Sequence, residues 1–150
     1  MTSINNTNTL NQLIDRIEML TPKSQAKWGK MNVSQMLEHL KVGMDIPAGN
    51  TKAKRSLLGF LFGKMVLKKT LKNDEGIKKN LPTDKSFVIT DSKDFEKTKK
   101  ELLNTIEKYT SLKPENINNK LHPFFGKLTY DQWGVLIYKH FNHHLKQFGV

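Results

Sequence analysis

The 150-residue chain contains no cysteine. Disulfides and thiolate metal ligands are thereby excluded, and any nucleophilic cysteine chemistry must come from a partner or substrate. Arginine is nearly as scarce, since only Arg16 and Arg55 among 25 basic residues are arginine. Arginine does most base-edge and bidentate phosphate recognition. The formal net charge of +11 therefore reads as a solvated, lysine-rich surface, and no specific nucleic-acid partner is expected. No apolar run approaches the roughly 18 residues of a membrane span, so no transmembrane segment is expected. The polar N-terminus, Met1 to Asn8, lacks the basic-then-apolar order of a secretory signal. A cytoplasmic location is the expectation. Several catalytic templates are also missing. No glycine-rich phosphate loop follows a strand, no Ser/His/Asp order stands out, and there is no internal repeat.

What remains is a chain of 37% hydrophobic residues, long enough to bury roughly 68–70% of its unfolded surface as a single domain spanning 1–150. Its apolar residues follow a helical period. Leu10, Leu13, Ile14, Ile17 and Leu20 predict a first helix over about 8–20, stopped by Thr21-Pro22. Val33, Met36, Leu37, Leu40 and Met44 predict a second, opened by an Asn32/Gln35 capping box with Met31 and Met36 as a hydrophobic staple. A third starts near Asp91 or Ser92, turns Phe95, Leu102, Leu103, Ile106 and Tyr109 inward, and ends at Lys113-Pro114. The fourth opens with a Thr129/Gln132 capping box and a Leu128/Trp133 staple. Residues 80–91 read as extended or looped, and 116–128 as a connector. The prediction is an all-α four-helix bundle with one long crossover.

An extra apolar and basic segment, Lys54 to Lys72, lies between helices two and three. Its apolar residues cover too wide an arc for a simple amphipathic helix, and Gly59 and Gly63 interrupt it. Nine basic residues fall between Lys52 and Lys79, against Asp74 and Glu75. A helix packed across the bundle mouth with its lysines in water is the simplest expectation. A lid, a partner-binding helix or a membrane-surface contact are the functional alternatives.

The chemistry concentrates in histidine. In the fourth helix Trp133, Leu136, Ile137, Phe141 and Phe148 form an apolar stripe, and His140 and His144 fall at its centre. Two buried imidazoles without partners would leave several ring nitrogens unsatisfied, at about 1–3 kcal/mol each. A shared metal ion satisfies both, and i, i+4 spacing lets two rings converge. His143, at the stripe margin, offers an i, i+3 alternative to His144. His39, in the second helix, lies about 100° from its stripe centre and one turn from Gly43, so periodicity leaves it open between half-exposed residue and third ligand. Gly43 leaves room for a substrate, a water or a neighbouring helix. Met36, Gly43, Trp133, Leu136 and Ile137 are the expected lining of a pocket. His122 precedes Pro123 and reads as a proton-transfer or substrate-contact group at the site mouth, or as a loop cap. The zinc-protease motif H-E-x-x-H is absent because Phe141 stands in the glutamate position, and paired E-x-x-H motifs are absent too.

The segments Trp28 to Leu40 and His122 to Gly149 resemble a bacterial family of unknown function that looks like a branch of the DinB-like superfamily. That superfamily includes damage-inducible proteins and thiol-dependent transferases. The resemblance implies a DinB-like four-helix bundle with one metal-binding histidine from helix two and an H-x-x-x-H pair from helix four, positions matched by His39, His140 and His144. Residues 52–81 match the superfamily poorly. The resulting expectation is one divalent transition metal, zinc or nickel, held by three imidazoles in a hydrolase or thiol S-transferase. The partners implied are a small-molecule substrate such as a low-molecular-weight thiol, with a homodimer admissible. The competing expectations are a non-catalytic binding or stress-response module with a vestigial site, and a lysine-rich nucleic-acid or membrane-surface binder.

Overall fold

The structure is a computed structural model that describes residues 1–72, 77–79 and 87–150. Six helices occur among the described residues: α1 (Thr7–Glu18), α2 (Val33–Asp45), α3 (Leu57–Lys72), α4 (Phe95–Ser111), the single turn α5 (Pro114–Ile117) and α6 (Tyr130–Gln147). Two short strands, β1 (Leu121–His122) and β2 (Gly126–Lys127), pair antiparallel. The fold is an all-α helical bundle. No helix among the described residues is long and apolar enough to cross a membrane.

Local chemistry explains where the helices begin. The Asn32 side chain accepts from the Gln35 N–H at 2.9 Å, and the Gln35 side chain accepts from the Asn32 N–H at 3.0 Å. Thr129 and Gln132 repeat the exchange at 3.2 and 3.0 Å. Each cap satisfies backbone donors that the first turn leaves orphaned, typically worth about 1 kcal/mol. The predicted start of the third helix is corrected from Asp91 or Ser92 to Phe95. Asp94 is the cap, accepting from the Lys97 N–H at 2.7 Å, while the Asp91 carboxylate is taken by Lys93 at 2.9 Å. The first helix stops at Glu18 rather than Leu20, although Leu20 remains buried.

The core is built where these helices meet. Leu13 and Ile17 of α1, Met36, Leu37, Leu40 and Met44 of α2, Leu102 and Tyr109 of α4, and Phe141 and Leu145 of α6 are fully buried. Each such apolar side chain contributes about 1.5–3 kcal/mol. α2 packs along α4 and also against α6, and α1 lies on α6. The Tyr109 hydroxyl donates to Asn5 Oδ1 at 2.8 Å, and Asn5 Nδ2 donates to the Tyr130 carbonyl at 3.1 Å, so the N-terminal segment ties α4 to α6.

Two regions depart from expectation. The 116–128 connector takes in the end of α5 and the β1–β2 hairpin, in which His122 pairs with Gly126 at a φ of +90° that favours glycine. α3 forms where the extra segment was predicted, and its lysines are exposed as expected, but it docks through its glycines and leaves most of its apolar residues outward. Gly59 and Gly63 are its buried residues, and they lie against the Pro123–Phe124 backbone of the hairpin. Leu57, Leu58, Phe60, Leu61, Phe62 and Met65 are exposed. A β-carbon on Gly59 would sit 2.5 Å from the Phe124 carbonyl oxygen, so only a side-chain-free face can dock there. Of the 80–91 stretch, residues 80–86 lie outside the described residues, and 88–90 carry no regular structure.

Candidate metal centre

α2 and α6 cross so that three histidines meet. The candidate ligand atoms of His39, His140 and His144 all lie within 4.8 Å of one another, a spacing compatible with one shared ion. The ring centroids of His39 are 4.7 Å from those of both His140 and His144, and the last two are 4.8 Å apart. Each residue reaches this point for a local reason. His140 and His144 are one turn apart on the buried face of α6. His39 reaches it because α2 contacts both α4 and α6, which widens its buried arc beyond the apolar stripe. At Gly43 a β-carbon would lie 3.3 Å from His140 Cε1, so the room left by this glycine is taken by the His140 ring.

Hydrogen bonds fix the ring tautomers. A carbonyl oxygen only accepts, so His39 Nδ1–H donates to the Phe87 carbonyl at 2.8 Å, leaving Nε2 with its lone pair. His144 Nδ1 meets Gln147 Oε1 at 2.8 Å, while Gln147 Nε2 donates to the Trp28 carbonyl at 2.6 Å. The Gln147 amide orientation makes His144 Nδ1 the donor and leaves its Nε2 as the lone-pair atom. His140 Nε2 lies 2.7 Å from His39 Nε2. With the His39 proton committed to Phe87, this contact is a hydrogen bond donated by His140.

The electrostatics keep all three rings neutral. Burial pushes His144 down to about 3, with His39 adding to the effect and the Gln147 hydrogen bond opposing it. Burial, then the proximity of His39 and His144, holds His140 well below the usual imidazole range. His39 is lowered by burial against the opposing pull of the Phe87 carbonyl. Neutral imidazoles are the form that ligates metals.

The other sequence-predicted residues distribute around this cluster. His143 stands outside it, edge-on to Trp28 at 5.8 Å and bonded to the Ile77 backbone. His122 uses Nδ1 to accept from the Phe124 and Phe125 N–H groups at 3.1 and 3.2 Å, so it caps the hairpin. Its ring lies 5.4 Å from Trp133 and near enough to His140 to influence that residue's protonation. Met36, Trp133, Leu136 and Ile137 belong to the buried core. Hollows of about 240 and 140 Å³ occur elsewhere, the larger beside Glu18, Lys99 and Leu103 and the smaller beside Asn5, Tyr109 and Tyr130. Sequence reasoning missed Gln147, the Phe87 carbonyl and the Trp28 carbonyl. Of these only Gln147 left a signal, a polar residue one turn beyond His144 on the same helix face.

No curated protein and no solved structure matches the chain. The family described as protein of unknown function (DUF1569) matches residues 3–149, nearly the whole length. The chain belongs to this family.

Proposed function

We propose that the protein binds a single divalent transition metal through Nε2 of His39, His140 and His144, the His140 proton moving from Nε2 to Nδ1 as the ion enters, and uses it in hydrolysis or thiol S-transfer. The observation that carries the reading is the convergence of three neutral imidazoles, two of them oriented from behind by Phe87 and Gln147. Metal-ligating histidines almost always donate their second ring N–H to a carbonyl or carboxylate-like oxygen. The all-imidazole donor set suits zinc or nickel. Three protein ligands leave a position open, as in catalytic rather than structural zinc sites. When bound, the ion supplies Lewis acidity toward a water or a low-molecular-weight thiol.

The chain's own residues do the rest. Phe87 and Gln147 hold two rings in register, and the surrounding core excludes water from the buried side. His122, with its Nδ1 fixed as an acceptor, carries its proton on Nε2 and is our choice for substrate contact or proton transfer. Beside it the Trp133 Nε1–H is buried without an acceptor among the described residues. An orphaned donor of this kind suits a water or a substrate oxygen. The helix-two histidine combined with H-x-x-x-H also fits the DinB-like superfamily, and we read the chain as one cytoplasmic domain of that type.

A second reading has the 2.7 Å His39–His140 contact in its favour: a non-catalytic bundle whose histidines bond one another in the core. Metal analysis of tag-free protein separates the two. The metal reading expects close to one equivalent of zinc or nickel after loading. It also expects stabilisation that grows with free metal, about 2.7 kcal/mol at a hundredfold excess over Kd. His140→Ala and His144→Ala should each abolish uptake and His143→Ala should spare it. Under about 0.1 equivalent of bound metal with an unchanged melting temperature supports the hydrogen-bonded core instead.

A further inference from the structure

The exposed face of α3 belongs to no site described so far. Among the described residues nine large hydrophobic side chains are exposed, and six of them fall between Leu57 and Met65, each 47–76% accessible. Scattered exposed apolar residues are ordinary, but a contiguous cluster marks an interaction surface. Contacts on the opposite side turn the cluster outward. The Ser56 N–H donates to the Pro123 carbonyl at 3.0 Å, Ser56 Oγ accepts from the Gly59 N–H at 3.0 Å, and Gly59 and Gly63 seat the helix on the hairpin.

Charge identifies what this face meets. α3 contains no acidic residue. At 100° per residue the face bearing Leu57, Leu61 and Met65 continues into Lys68 and Lys72, with Lys64 and Lys69 flanking it, and all four lysines are exposed. Lys52 and Lys54, also exposed, precede the helix. An apolar knob is therefore bracketed by basic side chains at both ends. A second copy would press lysine against lysine with no α3 carboxylate to pair them. A bilayer with anionic headgroups matches both parts, taking the apolar side chains at the acyl boundary and the ammonium groups among the phosphates. The helix is too short and too charged to span, so contact is confined to one leaflet.

We propose that α3 is a membrane-surface anchor that docks the protein on anionic lipid. Flotation of the full chain with two vesicle types tests this. It should float with phosphatidylcholine–phosphatidylglycerol at about 7:3 and not with phosphatidylcholine alone, and about 0.5 M salt should weaken the association. The triple variant Phe60→Ser, Leu61→Ser, Phe62→Ser should lose about tenfold in partitioning, as should a variant with Lys64, Lys68, Lys69 and Lys72 changed to Gln. All these side chains are exposed, so both variants should melt like the unaltered protein, which checks that they fold. His140→Ala should float normally, which separates this inference from the metal reading. Failure to float with anionic vesicles overturns the proposal, as does undiminished flotation of the serine variant. A solution dimer dissolved by Leu61→Ser would assign the face to a second copy instead.

Discussion

Gln147 grips the His144 ring through Oε1 and the Trp28 carbonyl through Nε2, linking a candidate ligand to the loop before α2. Replacing it with leucine removes both bonds and frees the His144 ring to turn. The metal reading expects Gln147→Leu to weaken metal binding about 10–100-fold, measured by competition with a chelator of known affinity. Unchanged affinity would show that packing alone orients the ring. Ion uptake should also spread the 2.7 Å His39–His140 pair toward about 3.3 Å, the separation that bonds of about 2.0–2.1 Å give tetrahedral neighbours. At this scale the sequence was informative about His140 and His144, because two polar rings at the centre of an apolar stripe are conspicuous. His39 was ambiguous because its helix packs on two neighbours, and a single periodic stripe describes only the face toward one. The backbone oxygens of Phe87 and Trp28 left no trace, since any residue supplies a carbonyl.

α3 shows the same division between existence and orientation. Its apolar and lysine pattern is that of a helix with solvated lysines, and its apolar arc is too wide for a simple amphipathic one, which leaves the docking side open. Which side docks was decided by the hairpin, whose Pro123–Phe124 backbone accepts only a helix face without side chains. The hairpin itself depends on a positive-φ glycine and two backbone bonds to His122, local details that periodicity does not register. Gly63→Ala places a methyl group onto the Phe124 carbonyl oxygen, which as backbone cannot swing aside. The expected result is faster amide exchange across Leu57–Lys72, with protection in α2 and α6 retained. Unaltered exchange in α3 would mean that its seat on the hairpin does not depend on the glycines. The capping boxes at Asn32 and Thr129 were the most legible features at this scale, because they need nothing beyond four consecutive residues.

The stability of the whole molecule carries the signature of its buried imidazoles. His39, His140 and His144 are all lowered, His144 to about 3, whereas in the unfolded chain they titrate near 6.5. Above that value both states are neutral and the histidines give no pH dependence. Below it the unfolded chain takes up protons that the folded metal-free protein refuses, so stability falls from about pH 6.5 toward pH 3. The slope is at most about 1.4 kcal/mol per pH unit for each histidine. Urea unfolding of metal-free protein at several pH values between about 7.5 and 5 should show this decline, and His144→Gln should flatten it. A flat profile would mean that the rings are not buried as described. The most direct test of the shared-ion account is a zinc-loaded crystal measured on both sides of the zinc absorption edge. A shared ion gives one anomalous peak about 2.0–2.1 Å from Nε2 of His39, His140 and His144 together. A cluster without that peak, its rings still bonded to one another at 2.7 Å, would contradict it.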